Sequence, residues 1–321
     1  MFKVIYDGSN EKKAIKDTFA ATLKELFEAD KDVVYLDADL MNSFGTLKLS
    51  KEYAERCLDC GVQEANMVGM AAGMSAIGKK PYVHTFGPFA SRRCYDQVFL
   101  SVGYAKNSVR IIGSDPGVAA AFNGGTHMPF EDIALYRVIP DAAIFDIVDS
   151  VQFHDVLVST KDRPGVTYIR TPRKNCVSVY SADSKFELGK ANVLKDGKDV
   201  TIIASGIMVA DSLKAAQMLA ADGIDAAVID IVSIKPLDIE TVVAFAKKTG
   251  AVVTAENANV HGGLGGAVCE ALSQNYPTIV EQVGVFDQWG EVGPTDYLRK
   301  RFNLTPEVIV SKAKAAIARK N

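Results

Sequence analysis

Two spacings of hydrophobic residues run along the first half of the chain and predict its elements. From residue 10 to 30 the apolar positions form one helical stripe opposite lysine and glutamate, namely Ala14, Ile15, Phe19, Leu23, Leu26 and Phe27. This stripe predicts an amphipathic helix. Runs rich in apolar and β-branched residues follow, separated by helical patterns, and predict strands at residues 33–36, 82–85, 110–113, 143–148 and 166–169. Strands that alternate with helices indicate a mostly parallel sheet covered on both faces.

The alternating pattern starts again in the second half. Residues 180–197 are polar and rich in turn formers, and strands are predicted beyond them at residues 200–204, 226–231, 251–254 and 280–285. A last helix is predicted to begin with Thr305 as its N-cap and Pro306 in its first turn. We therefore predict an α/β fold of two doubly wound domains with mostly parallel sheets, at residues 1–185 and 186–321.

Composition narrows the classes of function. The 321 residues are 48% hydrophobic and 23% charged, with a net charge of −3, as in a globular protein. Lysine and arginine form no cluster of the kind that binds nucleic acid or anionic membranes. The longest stretch of low polarity, residues 67–78, is too short for a membrane span of about 20 residues. Residues 1–10 lack the apolar core of a secretory signal, so we expect a cytoplasmic protein with small ligands.

The cysteines are expected to be free thiols. Five is an odd number in a long chain, which suits a reducing compartment better than a disulfide framework. Cys57 and Cys60 form one CxxC motif with neither a second pair nor a histidine cluster nearby. We interpret them as structural thiols and predict no metal ligands in this chain.

Two segments in the first half place unusual residues at the ends of elements. Residues 61–67 (GVQEANM) put Glu64 among small and apolar residues at the start of a predicted helix. Taken alone, such an acid is more often a solvated first-turn residue that the helix dipole stabilises. Residues 82–89 end a strand with Phe86 and Phe89, whose rings either stack on a planar ligand or pack in the core.

A glycine-containing loop at residues 122–132 (FNGGTHMPFED) supplies the third candidate. Its glycines permit a tight turn that presents His127. A histidine placed in this way transfers protons or binds substrate hydroxyls near neutral pH, or merely caps the next helix.

In order and spacing, these three segments resemble the second half of the transketolase family, over about residues 12–316. The resemblance implies that Glu64 hydrogen-bonds the aminopyrimidine ring of thiamine diphosphate and so promotes loss of the cofactor's C2 proton. It also implies roles for residues that match the family's cofactor-binding and substrate-binding positions: Phe86, Phe89 and Asp39 for the cofactor, and Ser43, Asn123 and His127 for the substrate. The implied activity is transfer of a two-carbon ketol unit from a ketose to an aldose.

The family's other half has no counterpart in this sequence. Family members bind the diphosphate and its metal through a Gly-Asp-Gly segment and a downstream Asn, and no such arrangement occurs here. The resemblance therefore implies an N-terminal, diphosphate-binding partner subunit that also holds Mg²⁺ or another divalent cation. We expect a heterotetramer with two copies of each chain, and no activity from this chain alone.

The positions that match the family's sugar-phosphate site depart from the usual residues. They are Lys12, Ser43, Ser114 and either Arg173 or Arg170, where the family commonly has two arginines, a serine and a histidine. Asn123 stands where an aspartate is usual. An anionic tail on the substrate is still expected, but the geometry of these positions suits a different anion or a modified sugar phosphate.

Several alternatives remain at this stage. The β subunit of a 2-oxoacid dehydrogenase has a similar length and the same two domains, although the loop at 126–132 is more similar to transketolase. A deoxyxylulose phosphate synthase half is less favoured, because the loop from Phe86 to Tyr95 is longer than in that family. A noncatalytic scaffold subunit is also less favoured, because a scaffold has no use for Glu64, Phe86, Phe89 and His127 together. The glycine-rich residues 256–266 indicate close backbone packing more than anion binding.

Overall fold

A seven-stranded sheet organises the first half of the protein, whose computed structural model describes residues 1–320. Its strands are β1 (Val33–Asp37), β2 (Cys57–Asp59), β3 (Lys80–Phe86), β4 (Val109–Ser114), β5 (Ala143–Asp146), β6 (Val166–Thr171) and β10 (Ser233–Lys235). They lie in the order β10-β5-β6-β4-β3-β1-β2. All neighbours are parallel except β10, which pairs antiparallel with β5.

Helices connect these strands. They are α1 (Ile15–Ala29), α2 (Leu47–Glu52), α3 (Glu64–Ala76), α4 (Gly87–Ser91), α5 (Asp132–Arg137) and α6 (Ser150–Ser159). The remaining connections contain 3₁₀ turns at Arg92–Cys94, Gly117–Asn123 and Gly125–His127 and a π-helical segment at Gln97–Tyr104.

The second half forms a five-stranded sheet in the order β12-β11-β8-β9-β7. Its strands are β7 (Asn192–Lys195), β8 (Val200–Ala204), β9 (Ala226–Asp230), β11 (Ala251–Asn259) and β12 (Ile279–Val285), of which only β7 is antiparallel to its neighbour. Its helices are α7 (Met208–Ala221), α8 (Ile239–Thr249), α9 (Leu264–Asn275), α10 (Thr295–Arg301) and α11 (Pro306–Ala318). The predicted fold class, two α/β domains with mostly parallel sheets, is confirmed.

The amphipathic helix is present but starts later than the pattern predicted. α1 begins at Ile15 rather than residue 10, and it buries the predicted stripe from Ile15 to Phe27. The preceding residues run beside the segment at 173–176 instead, where the Glu11 amide donates to the Cys176 carbonyl at 2.8 Å. These hydrogen bonds engage the backbone N–H and C=O groups that would otherwise form a further turn of α1.

The two sheets are linked by buried charges. The Arg170 guanidinium, which is fully buried, lies 2.7 Å from Asp132 Oδ2 and 3.0 Å from Asp146 Oδ2. Arg170 also donates to the Asn257 carbonyl of the second domain, and Asp146 accepts a 2.8 Å hydrogen bond from Ser205. The guanidinium therefore balances two buried carboxylates, a role that leaves Arg170 no surface for a ligand.

Asp230 is a further buried acid at this junction. Its Oδ2 accepts hydrogen bonds from Gln152 and Tyr180 of the first half, while its Oδ1 has no hydrogen-bond partner among residues 1–320. Burial raises the pKa of Asp230 to about 7. Because the folded state holds this proton more tightly than the unfolded state does, the contribution of Asp230 to stability falls as the pH rises toward 7.

Asp230→Asn should remove this pH dependence, since asparagine keeps an acceptor for Gln152 and Tyr180 but does not ionise. Between pH 5 and 8 we expect the free energy of unfolding of the natural chain to fall by about 2 to 3 kcal/mol relative to the variant. Denaturant unfolding at each pH measures the difference, with Glu55→Gln as a control because Glu55 is exposed. A difference between Asp230→Asn and the natural chain that stays constant with pH would contradict the assignment.

Candidate active site

The candidate site lies at the carboxyl ends of the central strands of the first sheet. Parallel strands present their carboxyl ends at one edge, where α/β proteins bind ligands. Phe86 ends β3, Ser114 ends β4 and Arg173 follows β6 closely. The loop after β1 carries Asp39 and Ser43 to the same edge.

Glu64 is the first residue of α3 and is buried, with 2% of its surface exposed. The positive end of the helix favours an anionic side chain at this position. The loop before it is held by Asp59, whose Oδ1 accepts the amides of Gly61 at 2.9 Å and Asp39 at 3.0 Å. Asp39 itself is exposed and has a positive φ of 62°.

Three rings lie together beside the start of α4. His127 lies 5.6 Å from Phe86 and 5.0 Å from Phe89 between ring centroids, both in edge contact, and the two phenylalanines are 6.4 Å apart. Gly87 makes this approach possible, since a Cβ there would come within 2.6 Å of Pro129. All three rings remain partly exposed, so they form an open wall rather than a closed core.

The His127 loop is supported by the second domain. A Cβ on Gly125 would lie 2.4 Å from the Gly290 carbonyl oxygen, and one on Gly124 would lie 2.6 Å from Val292. His127 Nδ1 forms a 2.9 Å hydrogen bond with the Thr126 hydroxyl. Asn123, in the same loop, is exposed. The second domain therefore helps to hold the loop that carries His127, which the sequence did not indicate.

Arg173, Ser43 and Asp115 form a polar cluster next to Phe86. Arg173 donates through Nη1 to Ser43 Oγ, and its Nη2 lies 2.9 Å from Asp115 Oδ2. The guanidinium carbon is 5.3 Å from the centre of the Phe86 ring. Burial raises the pKa of Asp115 and the Arg173 charge opposes that rise. The exposed Lys12 lies on the segment that runs beside Arg173, where the Lys16 amide contacts the Arg173 carbonyl.

Two further residues that match the family's sugar-phosphate site, Arg170 and Ser114, do not lie on the surface of the candidate site. Arg170 is held between the domains, so only Arg173 of the pair lies beside Ser43. Ser114 is fully buried, and its hydroxyl is 3.0 Å from His84 Nε2, while His84 Nδ1 is 2.8 Å from Asp37. Ser114 therefore lies beneath the site rather than on its surface. His84, to which the sequence gave no role, supports the floor of the site.

Arg93 occupies the space between Glu64 and Phe89. Its Nη1 is 3.3 Å from each Glu64 carboxylate oxygen, and its guanidinium carbon is 4.0 Å from the centre of the Phe89 ring. A planar group that stacks on a ring and donates to a buried carboxylate has the features of an aminopyrimidine. The Glu64 carboxylate and the Phe89 ring therefore fit the pyrimidine half of thiamine diphosphate.

The glycine-rich residues 256–266 enclose an acidic side chain of the chain itself. Glu256 is fully buried, and its carboxylate accepts the amides of Leu264 and Gly265 at 2.7 Å each, at the start of α9. A Cβ on Gly263 would lie 2.0 Å from Glu256 Oε2. The glycines thus allow close packing onto Glu256, which fills the helix N-terminus.

Residues 1–320 contain no group of three or more histidine, cysteine, aspartate or glutamate side chains placed to hold a metal ion. All five cysteines in this range are free. Within the same range, no helix has both the length and the apolar character needed to cross a membrane.

Comparison with known proteins gives the family. The transketolase pyrimidine-binding domain matches residues 11–178, and the transketolase C-terminal domain matches residues 189–309. A 6-deoxy-6-sulfo-D-fructose transketolase subunit of Clostridium sp. strain MSTE9 is 48% identical over 311 residues, which cover 97% of each chain. An apulose-4-phosphate transketolase subunit of Phocaeicola vulgatus is 36% identical over 306 residues, 95% of this chain and 98% of that one. The chain therefore belongs to the transketolase family.

A solved structure agrees with this assignment. A split-gene transketolase, described as an inactive β4 tetramer, superposes with a TM-score of 0.88 at 40% identity and covers 97% of this chain and 100% of its own. The resemblance inferred from three short segments is therefore confirmed at the level of the family.

Proposed function

We propose that this chain is the pyrimidine-binding subunit of a two-subunit transketolase that moves a two-carbon ketol unit from an anionic ketose to an aldose. The observation that carries the proposal is the convergence of Glu64, Phe89 and His127 at one edge of the sheet. A buried carboxylate, an aromatic wall and a partly exposed histidine are the groups that a thiamine-dependent reaction needs from this side of the site.

The residues divide into cofactor and substrate roles. Glu64 shares a proton with a ring nitrogen of the aminopyrimidine, and Phe86 and Phe89 pack against the face of that ring. Thiamine diphosphate, when bound, supplies the nucleophilic carbon and the electron sink for cleavage of the carbon–carbon bond. The diphosphate and its divalent cation, Mg²⁺ or another, are assigned to an N-terminal partner subunit.

His127 and Asn123 are assigned to the donor hydroxyls. The His127 Nδ1 is engaged by Thr126, which leaves Nε2 to bind a hydroxyl or to move a proton at the reacting carbon. Asn123 is neutral, so it binds hydroxyls without the charge of a carboxylate. Asp39 is an exposed residue of the loop after β1, and we assign it a contact with the cofactor.

The charges around Arg173 favour a singly charged tail. Arg173 and Lys12 supply two positive charges, and Asp115 offsets one of them at 2.9 Å. A phosphate monoester carries about −1.5 to −2 at neutral pH, whereas a sulfonate carries a single negative charge and three acceptor oxygens. A ketose with a terminal sulfonate therefore fits this cluster best, and 6-deoxy-6-sulfofructose is the proposed donor because the relative at 48% identity is named for it.

Arg173→Ala tests the tail assignment. In the assembled enzyme we expect KM for 6-deoxy-6-sulfofructose to rise about 10- to 100-fold, because a charge-assisted contact is lost. KM for fructose, which has the same length and an uncharged end, should change little. Initial rates with each donor give both values.

Lys174→Ala is the matched control, since Lys174 is the exposed neighbour of Arg173 and should leave the ratio of the two KM values nearly unchanged. Equal effects of Arg173→Ala on charged and uncharged donors would refute the assignment. So would a natural enzyme that prefers xylulose 5-phosphate to every other donor.

The alternative activity is decarboxylation of a 2-oxoacid. It is distinguished by supplying pyruvate to the assembled enzyme in place of a ketose. We expect no turnover of pyruvate, because the relatives that cover nearly the whole chain are named as transketolase subunits.

A further inference from the structure

Arg93 lies where the aminopyrimidine ring of the cofactor is expected to bind. Its side chain contacts two of the groups assigned to the cofactor: Glu64 through Nη1 at 3.3 Å, and Phe89 through the guanidinium face at 4.0 Å. These are the hydrogen bond and the stacking contact that an aminopyrimidine would make. A guanidinium and an aminopyrimidine therefore compete for the same space.

The burial of Glu64 explains why a cation lies there. Glu64 is 2% exposed, and Arg93 is the only cation in ion-pair contact with its carboxylate within residues 1–320. A buried carboxylate without a donor is costly, so the chain needs a substitute while no cofactor is present. Arg93 meets this need from a side chain that stays 47% exposed and so keeps a path to solvent.

The neighbouring Arg92 has a different environment despite the same exposure of 47%. Its Nε lies 2.6 Å from Glu131 Oε1, away from Glu64. Two adjacent arginines of equal exposure thus pair with different carboxylates, and of the two only Arg93 contacts the proposed cofactor site. This makes Arg92 a matched control.

We propose that Arg93 holds the aminopyrimidine position in the unassembled subunit and has to leave it before thiamine diphosphate binds. This inference rests on the proposed cofactor site. Arg93 is a placeholder rather than a catalytic residue, since a guanidinium that stayed on Glu64 would block the hydrogen bond to the cofactor. The contact between Arg93 and Glu64 stabilises the isolated chain. In the assembled enzyme the same contact competes with thiamine diphosphate and weakens its binding.

The first test uses the isolated chain and needs no cofactor. Arg93→Met keeps a stem that packs on Phe89 but leaves Glu64 unpaired, and it should lower Tm by about 2 to 4 °C. Arg92→Met should shift Tm by less than about 1 °C, as expected for an exposed ion pair. In a Glu64→Gln background the effect of Arg93→Met should largely disappear, because the charge it compensates is gone.

The second test uses calorimetric titration of thiamine diphosphate, with Mg²⁺, into the complex with the diphosphate-binding subunit. Removing the competitor in Arg93→Met should tighten Kd about 3- to 10-fold, while Arg92→Met leaves it unchanged. An unchanged or weaker Kd for Arg93→Met would overturn the proposal, as would equal Tm losses for the two arginine variants. If the natural complex bound no thiamine diphosphate, the proposed function would fail instead, and the Tm cycle would still report on the contact between Arg93 and Glu64.

Discussion

Glu64→Gln in the assembled enzyme is expected to slow exchange of the C2 hydrogen of bound thiamine diphosphate by about 10²- to 10⁴-fold. Glutamine keeps the shape of glutamate and can accept a hydrogen bond, but it cannot share a proton with the aminopyrimidine. Glu64 is nearly inaccessible to water, so solvent cannot replace the missing group. Hydrogen–deuterium exchange at C2, followed by NMR after acid quench, measures the rate directly.

A control variant, Glu131→Gln, distinguishes the loss of proton sharing from the loss of a negative charge near the site. Glu131→Gln removes a nearby carboxylate that pairs with Arg92 rather than Arg93, and it should leave C2 exchange within about 3-fold of the natural rate, as expected for a group that takes no part in proton transfer. A Glu64→Gln enzyme that binds thiamine diphosphate and exchanges at the natural rate would remove Glu64 from the proton transfer.

Much of the site follows from strand order alone. Phe86 lies at the end of β3, and Glu64 starts the helix that leads into that strand. In a parallel sheet the segments after the strands converge at one edge, so the sequence alone predicts that segments far apart along the chain lie together. The sequence patterns also predicted most of the strands, because each of those strands contains a run of apolar residues that the sheet buries.

Short elements and side-chain partners could not be predicted in this way. β2, β7 and β10 have only three or four residues, which is too few to establish a period. β10 moreover joins the sheet of the other domain. The sequence pattern predicts that β11 ends at residue 254, yet the strand reaches Asn259. The polar side chains in this extension are buried, Glu256 against the start of α9 and Asn257 against the first domain.

Charged residues were hardest to assign. Arg170 and Arg173 lie three residues apart, and nothing in their neighbours distinguishes a domain-linking arginine from one beside Ser43. The distinction depends on Asp132 and Asp146, which are distant in sequence from both. The contact of Arg93 with Glu64 could not be predicted from the sequence either, because the two residues are 29 positions apart.

Dependence on a second subunit is the other large expected effect. This chain offers groups for the pyrimidine ring, and its wall of Phe86, Phe89 and His127 is partly open to solvent. No Gly-Asp-Gly segment with a downstream Asn occurs in its sequence. Because a pyrimidine contact alone leaves two phosphates and a cation without ligands, we expect negligible affinity of the isolated chain for thiamine diphosphate.

The most direct test is a reconstitution titration. A fixed amount of this chain is mixed with increasing amounts of the diphosphate-binding subunit from the same organism, with thiamine diphosphate, Mg²⁺, 6-deoxy-6-sulfofructose and an aldose acceptor. We expect no ketol transfer from either chain alone, and a rate that rises with added partner and levels off at equal amounts of the two chains. Full turnover by the isolated chain, or none at any ratio with any anionic ketose, would contradict the split-transketolase account.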